Sequence, residues 1–330
     1  HLVRPKWVLF MGDAEYVPTH YDQVNSWDPA KNAGDMWFGQ FMPGASAVTI
    51  PPFGIGRFPD ARTLEVKRQF RTLGGTIRNC SGGITPWGSW LTCEENMTKS
   101  GNGVGKDHGY IFEVPATHRG LVTPVPLTAM GRFNHEAACI DPRTGIAYLT
   151  EDRGDSLLYR FRPNVYGDLR SGGVLEALRI IDMPGVNTAR DFQQYLFKPL
   201  ATDWVTIDVA DPDSESAGAS NRAQGYAKGA ARFTRGEGCW WGNGKIYFVC
   251  SNGGNAGRGQ IFAYDPADGT VTLFVESVAD TQGRYADNGG FLLTVGGVGD
   301  TTFDGIISGS GGNPFLRPIR SNSFDVTAEK

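Results

Sequence analysis

Residues 134–163 read NHEAACIDPRTGIAYLTEDRGDSLLYRFRP, and the chain carries this pattern twice more. Residues 79–115 open with NCSGGITPWGSWLTCEEN and close with HGYIFEVP, and residues 235–266 read RGEGCWWGNGKIYFVCSNGGNAGRGQIFAYDP. Each copy begins with a short segment holding a thiol or a carboxylate: Cys80, Glu136 or Glu237. About ten residues later comes an apolar, aromatic run (WLTC, AYLT, IYFVC), followed by a polar, acidic or glycine-rich loop (CEEN, EDRGD, SNGG). A second run of alternating character then ends at proline (YIFEVP, LYRFRP, IFAYDP). Alternation with aromatic and β-branched residues predicts strands, and glycine and proline mark the turns between them. Cys80 and Glu136 are 56 residues apart and Glu136 and Glu237 are 101 apart, close to twice as far, which leaves room for one divergent unit. A unit of roughly 50 residues with about four strands is a propeller blade. We therefore expect an all-β fold, a β-propeller of about six blades, formed as one domain over residues 1–330.

The composition agrees. Among 330 residues there are 45 glycines and 19 prolines, a turn-rich balance, and a chain this long buries a large core without staples. The net charge of −4 lacks the basic excess that nucleic acid requires, so no nucleic-acid partner is expected. No apolar stretch is long enough for a transmembrane helix. Two short helical insertions are expected, one in TARDFQQYLFKPL (188–200), ended by Pro199, and one in ESAGASNRAQGYAKGAARF (215–233). The glycine-dense residues 281–314 read as strands and loops of a last blade. The chain opens on His1 without a leader, which is expected to have been removed.

Repeat-equivalent residues on the innermost strands of a propeller converge on its channel, so Cys80, Glu136 and Glu237 are expected to point at one another. Glu94, Glu95, Glu151 and Asp152 follow the next strand in the first two copies and face either the same end or the opposite one. An isolated Glu is usually a solvated loop residue. Gathered carboxylates repel, and cations are the economical remedy. Carboxylates suit Ca²⁺ and a thiolate suits a softer transition ion. Arg235 shares a strand face with Glu237 and suits a bidentate clamp on phosphate or carboxylate. His135 reads as structural, and Lys106, Asp107 and His108 as a polar loop within possible reach of a ligand. Trp87, Trp240 and Trp241 read as core or channel wall. GNGVG (101–105) lacks the strand–turn–helix context of a dinucleotide loop. Five cysteines leave at least one unpaired within the chain, and the sequence does not say whether Cys93, Cys139, Cys239 and Cys250 form disulfides.

The run NCSGGITPWGSWLTCEEN (79–96) resembles the PhoX-type alkaline phosphatases. The resemblance continues through KDHGYIFEVPA (106–116), residues 131–161, ARFTRGEGCWWGNGKIYF (231–248) and GRGQIFAYDP (257–266). It implies a six-bladed propeller exported to the periplasm or cell exterior, hydrolysing phosphomonoesters with iron and calcium. It also implies roles: Cys80 as an iron-binding thiolate, Glu136 and Glu237 as metal carboxylates with Glu95, or else Glu94, beside them, and Glu151 and Asp152 as further ligands. Arg235 becomes the phosphate-binding arginine. An early Arg-Asn-His-Glu segment and a C-terminal Phe-Ser-Pro-Asp-Gly-like strand, usual in the family, are missing, and with them the site residues they supply. Two other readings remain. One is a noncatalytic propeller assembling through the glycine-rich C-terminal region and DMWFGQFMPG (35–44). The other is a calcium-dependent lactonase-type hydrolase, disfavoured by Cys80 and Arg235.

Overall fold

The computed structural model describes residues 72–118, 120–216 and 218–277, together with the backbone of two short strands, β1 (Trp7–Leu9) and β2 (Val48–Ile50), which pair antiparallel. The expected last blade at 281–314 and the DMWFGQFMPG cluster lie outside the described residues. Everything else regular is strand, save one α-helix and two 3₁₀ turns among the described residues.

The three sequence copies fold alike. The first is a three-stranded antiparallel meander of β3 (Asn79–Ile84), β4 (Ser89–Glu94) and β5 (Ile111–Pro115). The second has four strands: β6 (His135–Ile140), β7 (Ala147–Glu151), β8 (Tyr159–Val165) and β9 (Asp168–Ile180). Between it and the third copy runs β10 (Pro199–Thr206). The third copy is again four-stranded: β11 (Gly236–Gly242), β12 (Lys245–Cys250), β13 (Gln260–Asp265) and β14 (Thr270–Glu276). Each meander has the up-and-down connectivity of a propeller blade, and there are three among the described residues.

Strand β10 pairs antiparallel with both β9 and β14, the outer strands of the second and third meanders. The result is one nine-stranded sheet in the order β11-β12-β13-β14-β10-β9-β8-β7-β6. Its two end strands, β6 and β11, come back to lie against each other, and β3 packs on β6 as well. The sheet is thus nearly closed, and the first strands of all three meanders meet. Glycine permits this: a Cβ on Gly83 of β3 would stand 1.7 Å from the Ala138 carbonyl oxygen of β6.

Apolar layers fill the spaces between meanders. Leu91, Cys93 and Ile111 of the first pack with Leu149, Tyr159 and Leu175 of the second. Tyr148, Leu178 and Ile180 pack with Phe233, Phe248 and Phe262. The Phe248 and Phe262 rings stack at 5.4 Å with Phe233 edge-on to both. Removing one such ring costs about 3–5 kcal/mol.

Two insertions differ in outcome. Helix α1 (Asn221–Ala227) forms as expected, capped by the Ser220 side chain accepting from Ala223 N. The helix expected in TARDFQQYLFKPL is only a 3₁₀ turn, Gln193–Tyr195. Pro199 does not end a helix there; it begins β10, whose pairing between two meanders outweighs the local helical pattern. Among the described residues no helix is long and apolar enough to cross a membrane.

Candidate metal centre

The same irregularity occurs at the start of each meander. Between β3 and β4 the pairing jumps from Asn79↔Glu94 to Gly82↔Thr92. Between β6 and β7 it jumps from His135↔Glu151 to Ala138↔Leu149, and between β11 and β12 from Gly236↔Cys250 to Cys239↔Phe248. In each case one extra residue enters the first strand. A bulge of this kind re-aims side chains. The residues it takes in begin with Cys80, Glu136 and Glu237, so the repeat seen in the sequence is a repeat of geometry.

A second set of equivalent positions lies just past the neighbouring strand. The amides of Glu95, Asp152 and Ser251 donate to the carbonyls of Arg78, Asn134 and Arg235 at 2.9, 3.2 and 2.9 Å. Each bulge is therefore closed by the same backbone bond, which sets one further side chain beside it.

These positions converge. Cys80, Glu95 and Glu136 each present a ligand atom within 4.8 Å of the others. The Cys80 thiol donates to Glu136 Oε1 at 3.1 Å. Glu237 accepts from Ser251 Oγ at 2.8 Å and from Arg235 Nη2 at 3.3 Å. Arg235 grips Asp152 with two bonds, Nε to Oδ1 at 2.6 Å and Nη2 to Oδ2 at 2.7 Å. On the other side, Arg78 Nη2 stands 3.5 Å from Glu95 Oε2. Arg78 and Arg235, two residues before Cys80 and Glu237, both have left-handed backbones, with φ of 46° and 47°. Non-glycine residues rarely adopt that conformation, and strain of this kind gathers at functional sites.

Two arginines face four carboxylates and a thiol. Burial, then the charges of Glu237 and Glu95, pushes the Glu136 carboxyl well up. Burial, then Asp152, raises Glu237 to about 7. Burial also raises Glu95, against the pull of Arg78, and burial with Glu136 raises the Cys80 thiol. The cluster therefore lacks positive charge, and a cation would supply what the protein does not. Its donors, one sulfur and several carboxylate oxygens, fit the mixed set expected from the sequence.

Glu94 and Glu151 stand apart from this group. Each precedes a clustered acid and points the other way. Glu94, fully buried, accepts from Ile77 N at 2.9 Å and His108 Nδ1 at 2.7 Å on one oxygen. Its other oxygen accepts from Gly109 N at 2.9 Å and Tyr110 N at 3.2 Å. Glu151 is held by Arg222 of α1 and, at 3.0 Å, by Tyr159 Oη. The rest of the 106–108 loop is likewise engaged, Asp107 with Lys99 at 2.6 Å. His135, a buried structural residue, donates from Nε2 to the Gly131 carbonyl at 3.0 Å.

Two residues of the cluster escaped the sequence reading. Ser251 is the third-copy counterpart of Glu95 and Asp152, and aligning CEEN, EDRGD and CSNG at their strand ends reveals it. Arg78 is the counterpart of Arg235, and the matching offset from Cys80 and Glu237 is its signal.

An all-β protein built of meanders brings a thiol and four carboxylates together here, the donor set of a candidate metal site. A family model, Alkaline phosphatase PhoX, matches residues 57–293. The chain belongs to the PhoX alkaline phosphatase family. Among solved structures it is similar to Pseudomonas fluorescens PhoX in complex with vanadate, a transition state analogue, with 18% identity and a TM-score of 0.42. That similarity covers 68% of this chain and 56% of the other, so the chain spans little more than half of that protein's length. No curated protein matches the sequence.

Proposed function

We propose that this protein is an exported phosphatase that hydrolyses phosphomonoesters at the Cys80 centre. The observation that carries the reading is the convergence of half-buried Cys80, Glu95, Asp152 and Glu237 on buried Glu136 beside Arg235, in a member of a phosphatase family. Cys80, Glu95 and Glu136 would hold an iron ion through the thiolate. Asp152 and Glu237, oxygen donors only, would serve calcium. Such ions, when bound, supply positive charge against phosphate oxygens and lower the pKa of water.

The chain's own residues do the positioning. Asp152 holds the Arg235 guanidinium by two parallel bonds, which fixes the plane of its fork. A phosphate offers paired oxygens of similar geometry, so a fork set this way suits it. The Arg235 side chain is 45% exposed, so a substrate reaches it from solvent. Ser251 fixes the rotamer of Glu237, and Arg78 offsets charge on Glu95 at the opposite side. Preset charge of this kind gives most of the rate in phosphoryl transfer.

The test is metal analysis and p-nitrophenyl phosphate turnover on one preparation never exposed to chelator, with Arg235→Ala and Cys80→Ala beside it. Iron and calcium with turnover, and a loss of about 10²-fold or more in Arg235→Ala, support the reading. Turnover unchanged in both variants, or no metal and no turnover in the wild type, overturns it; the latter leaves a noncatalytic scaffold.

A further inference from the structure

Among the described residues the nine-stranded sheet ends at β6 and β11, and no backbone ladder joins these two strands. Between these edges lie Cys139 on β6 and Cys239 on β11, both buried, with sulfurs 2.8 Å apart. Other links across the seam are noncovalent: beside the Arg235–Asp152 pair, the Arg235 amide donates to the Arg153 carbonyl at 2.7 Å. Thr150 Oγ1 of β7 donates to the Glu237 carbonyl at 2.5 Å, and Gly236 lies against the Glu151 backbone, where a Cβ would meet the carbonyl oxygen at 3.1 Å. The sheet is thus held closed at this edge by packing, by these hydrogen bonds and by the Arg235–Asp152 pair at its end, with no covalent link, at the place where two thiols touch.

We propose that Cys139 and Cys239 form a disulfide that closes the sheet covalently, a modification that ties the β6 edge to the β11 edge. Two nonbonded sulfurs need more room than 2.8 Å gives them, and a shift of under an ångström brings them to bonding distance. Each thiol gives up its hydrogen as the S–S bond forms. The two electrons and two protons pass to the disulfide of an exchange partner, such as oxidised glutathione, which departs as two thiols. Cys80 stays out of this chemistry, engaged with Glu136. Cys93, on β4 of the first meander, and Cys250, at the end of β12, complete the set of five.

The placement has a consequence for the centre. Glu136 is three residues before Cys139 and Glu237 two before Cys239. A bond between the cysteines holds the two bulged strands in one relative position, and with them two carboxylates that repel. It also encloses 100 residues of chain, a loop long enough for a large effect on the unfolded state. Buried on both sides, the bond is shielded from reductant while the protein is folded.

The experiment counts thiols and does not depend on turnover, so it stands or falls apart from the phosphatase reading. The full-length protein is refolded from guanidinium in a buffer of oxidised and reduced glutathione, so that the thiols meet the oxidant before they are buried, then unfolded again without reductant and alkylated with N-ethylmaleimide. Three adducts are expected by mass, five after prior reduction, and digestion releases one linked pair of peptides carrying Cys139 and Cys239. Cys139→Ala takes four adducts. Reduction lowers the wild-type melting midpoint by on the order of 10 °C and leaves that of Cys139→Ala unchanged. Five adducts without reduction, or a link from Cys239 to any cysteine but Cys139, overturns the proposal. A wild-type midpoint indifferent to reduction overturns the closure.

Discussion

Glu94 and Glu95 are neighbours in the chain, as are Glu151 and Asp152, yet the fold treats the members of each pair in opposite ways. The first of each pair is on the last residue of a strand, fully buried, and supplied with donors: four for Glu94, and an arginine and a tyrosine for Glu151. The second lies one residue on, where the chain has turned toward the bulges, and joins acids that lack enough donors among themselves. Burial alone does not distinguish a structural carboxylate from a ligand. For Glu94 the completeness of its hydrogen bonding does, because a carboxylate with every lone pair engaged has nothing to offer a cation; Glu151, with two donors, is set apart by facing Arg222 and Tyr159 instead of other acids.

The largest effects should break the ligand side of this comparison. Cys80→Ala removes the one sulfur donor, and we expect metal content measured on the purified protein to fall by ten- to a hundredfold or more, with the thermal midpoint of the metal-free protein little changed. Glu94→Gln should do the reverse. It trades a carboxylate bound by four donors for an amide that cannot accept from all of them, at about 2–4 kcal/mol in a denaturant titration, while metal content per folded molecule stays at the wild-type value.

The pH dependence sharpens the same contrast. Burial raises the Glu151 carboxyl to about 7, with Arg222 pulling the other way. An acid whose folded pKa lies above its unfolded one binds more protons folded than unfolded in the window between them. Its contribution to stability is therefore full below about pH 4.5 and is lost as pH rises through about 7. Glu151→Gln should flatten that part of the stability profile measured between pH 4 and 8 in metal-free protein. Glu237, also raised to about 7, should show the same slope without metal and lose it when metal is added, because a cation favours the ionised form. The smallest effect expected is at Ser251→Ala. Loss of one bond to Glu237 leaves the carboxylate in place but free to turn, and roughly tenfold weaker metal binding by titration calorimetry is the expected readout.

Much of this was legible from the residues. Alternation within the three copies marked the strands, and spacing marked Cys80, Glu136 and Glu237 as equivalent. Acids after the second strand were flagged in both copies that have them, but alternation did not decide between Glu94 and Glu95 or between Glu151 and Asp152. The choice depends on a bulge in the neighbouring strand, and a bulge is a property of two strands together. TARDFQQYLFKPL (188–200) reads as a short helix ended by Pro199, but it holds a 3₁₀ turn and the start of β10, because β10 has partners on both sides.

Local pattern determined what could be settled within a few residues: the all-β class, the turns, the repeat, and which side chains were able to bind metal. Those features follow from backbone sterics and from the two-residue period of a strand, and each segment carries them alone. Tertiary structure decided which edges of the sheet face each other, which carboxylates were left short of donors, and that Cys139 meets Cys239. The thiol contacts among these span 56 to 100 residues of chain, formed only when whole meanders pack, and no single segment specifies them.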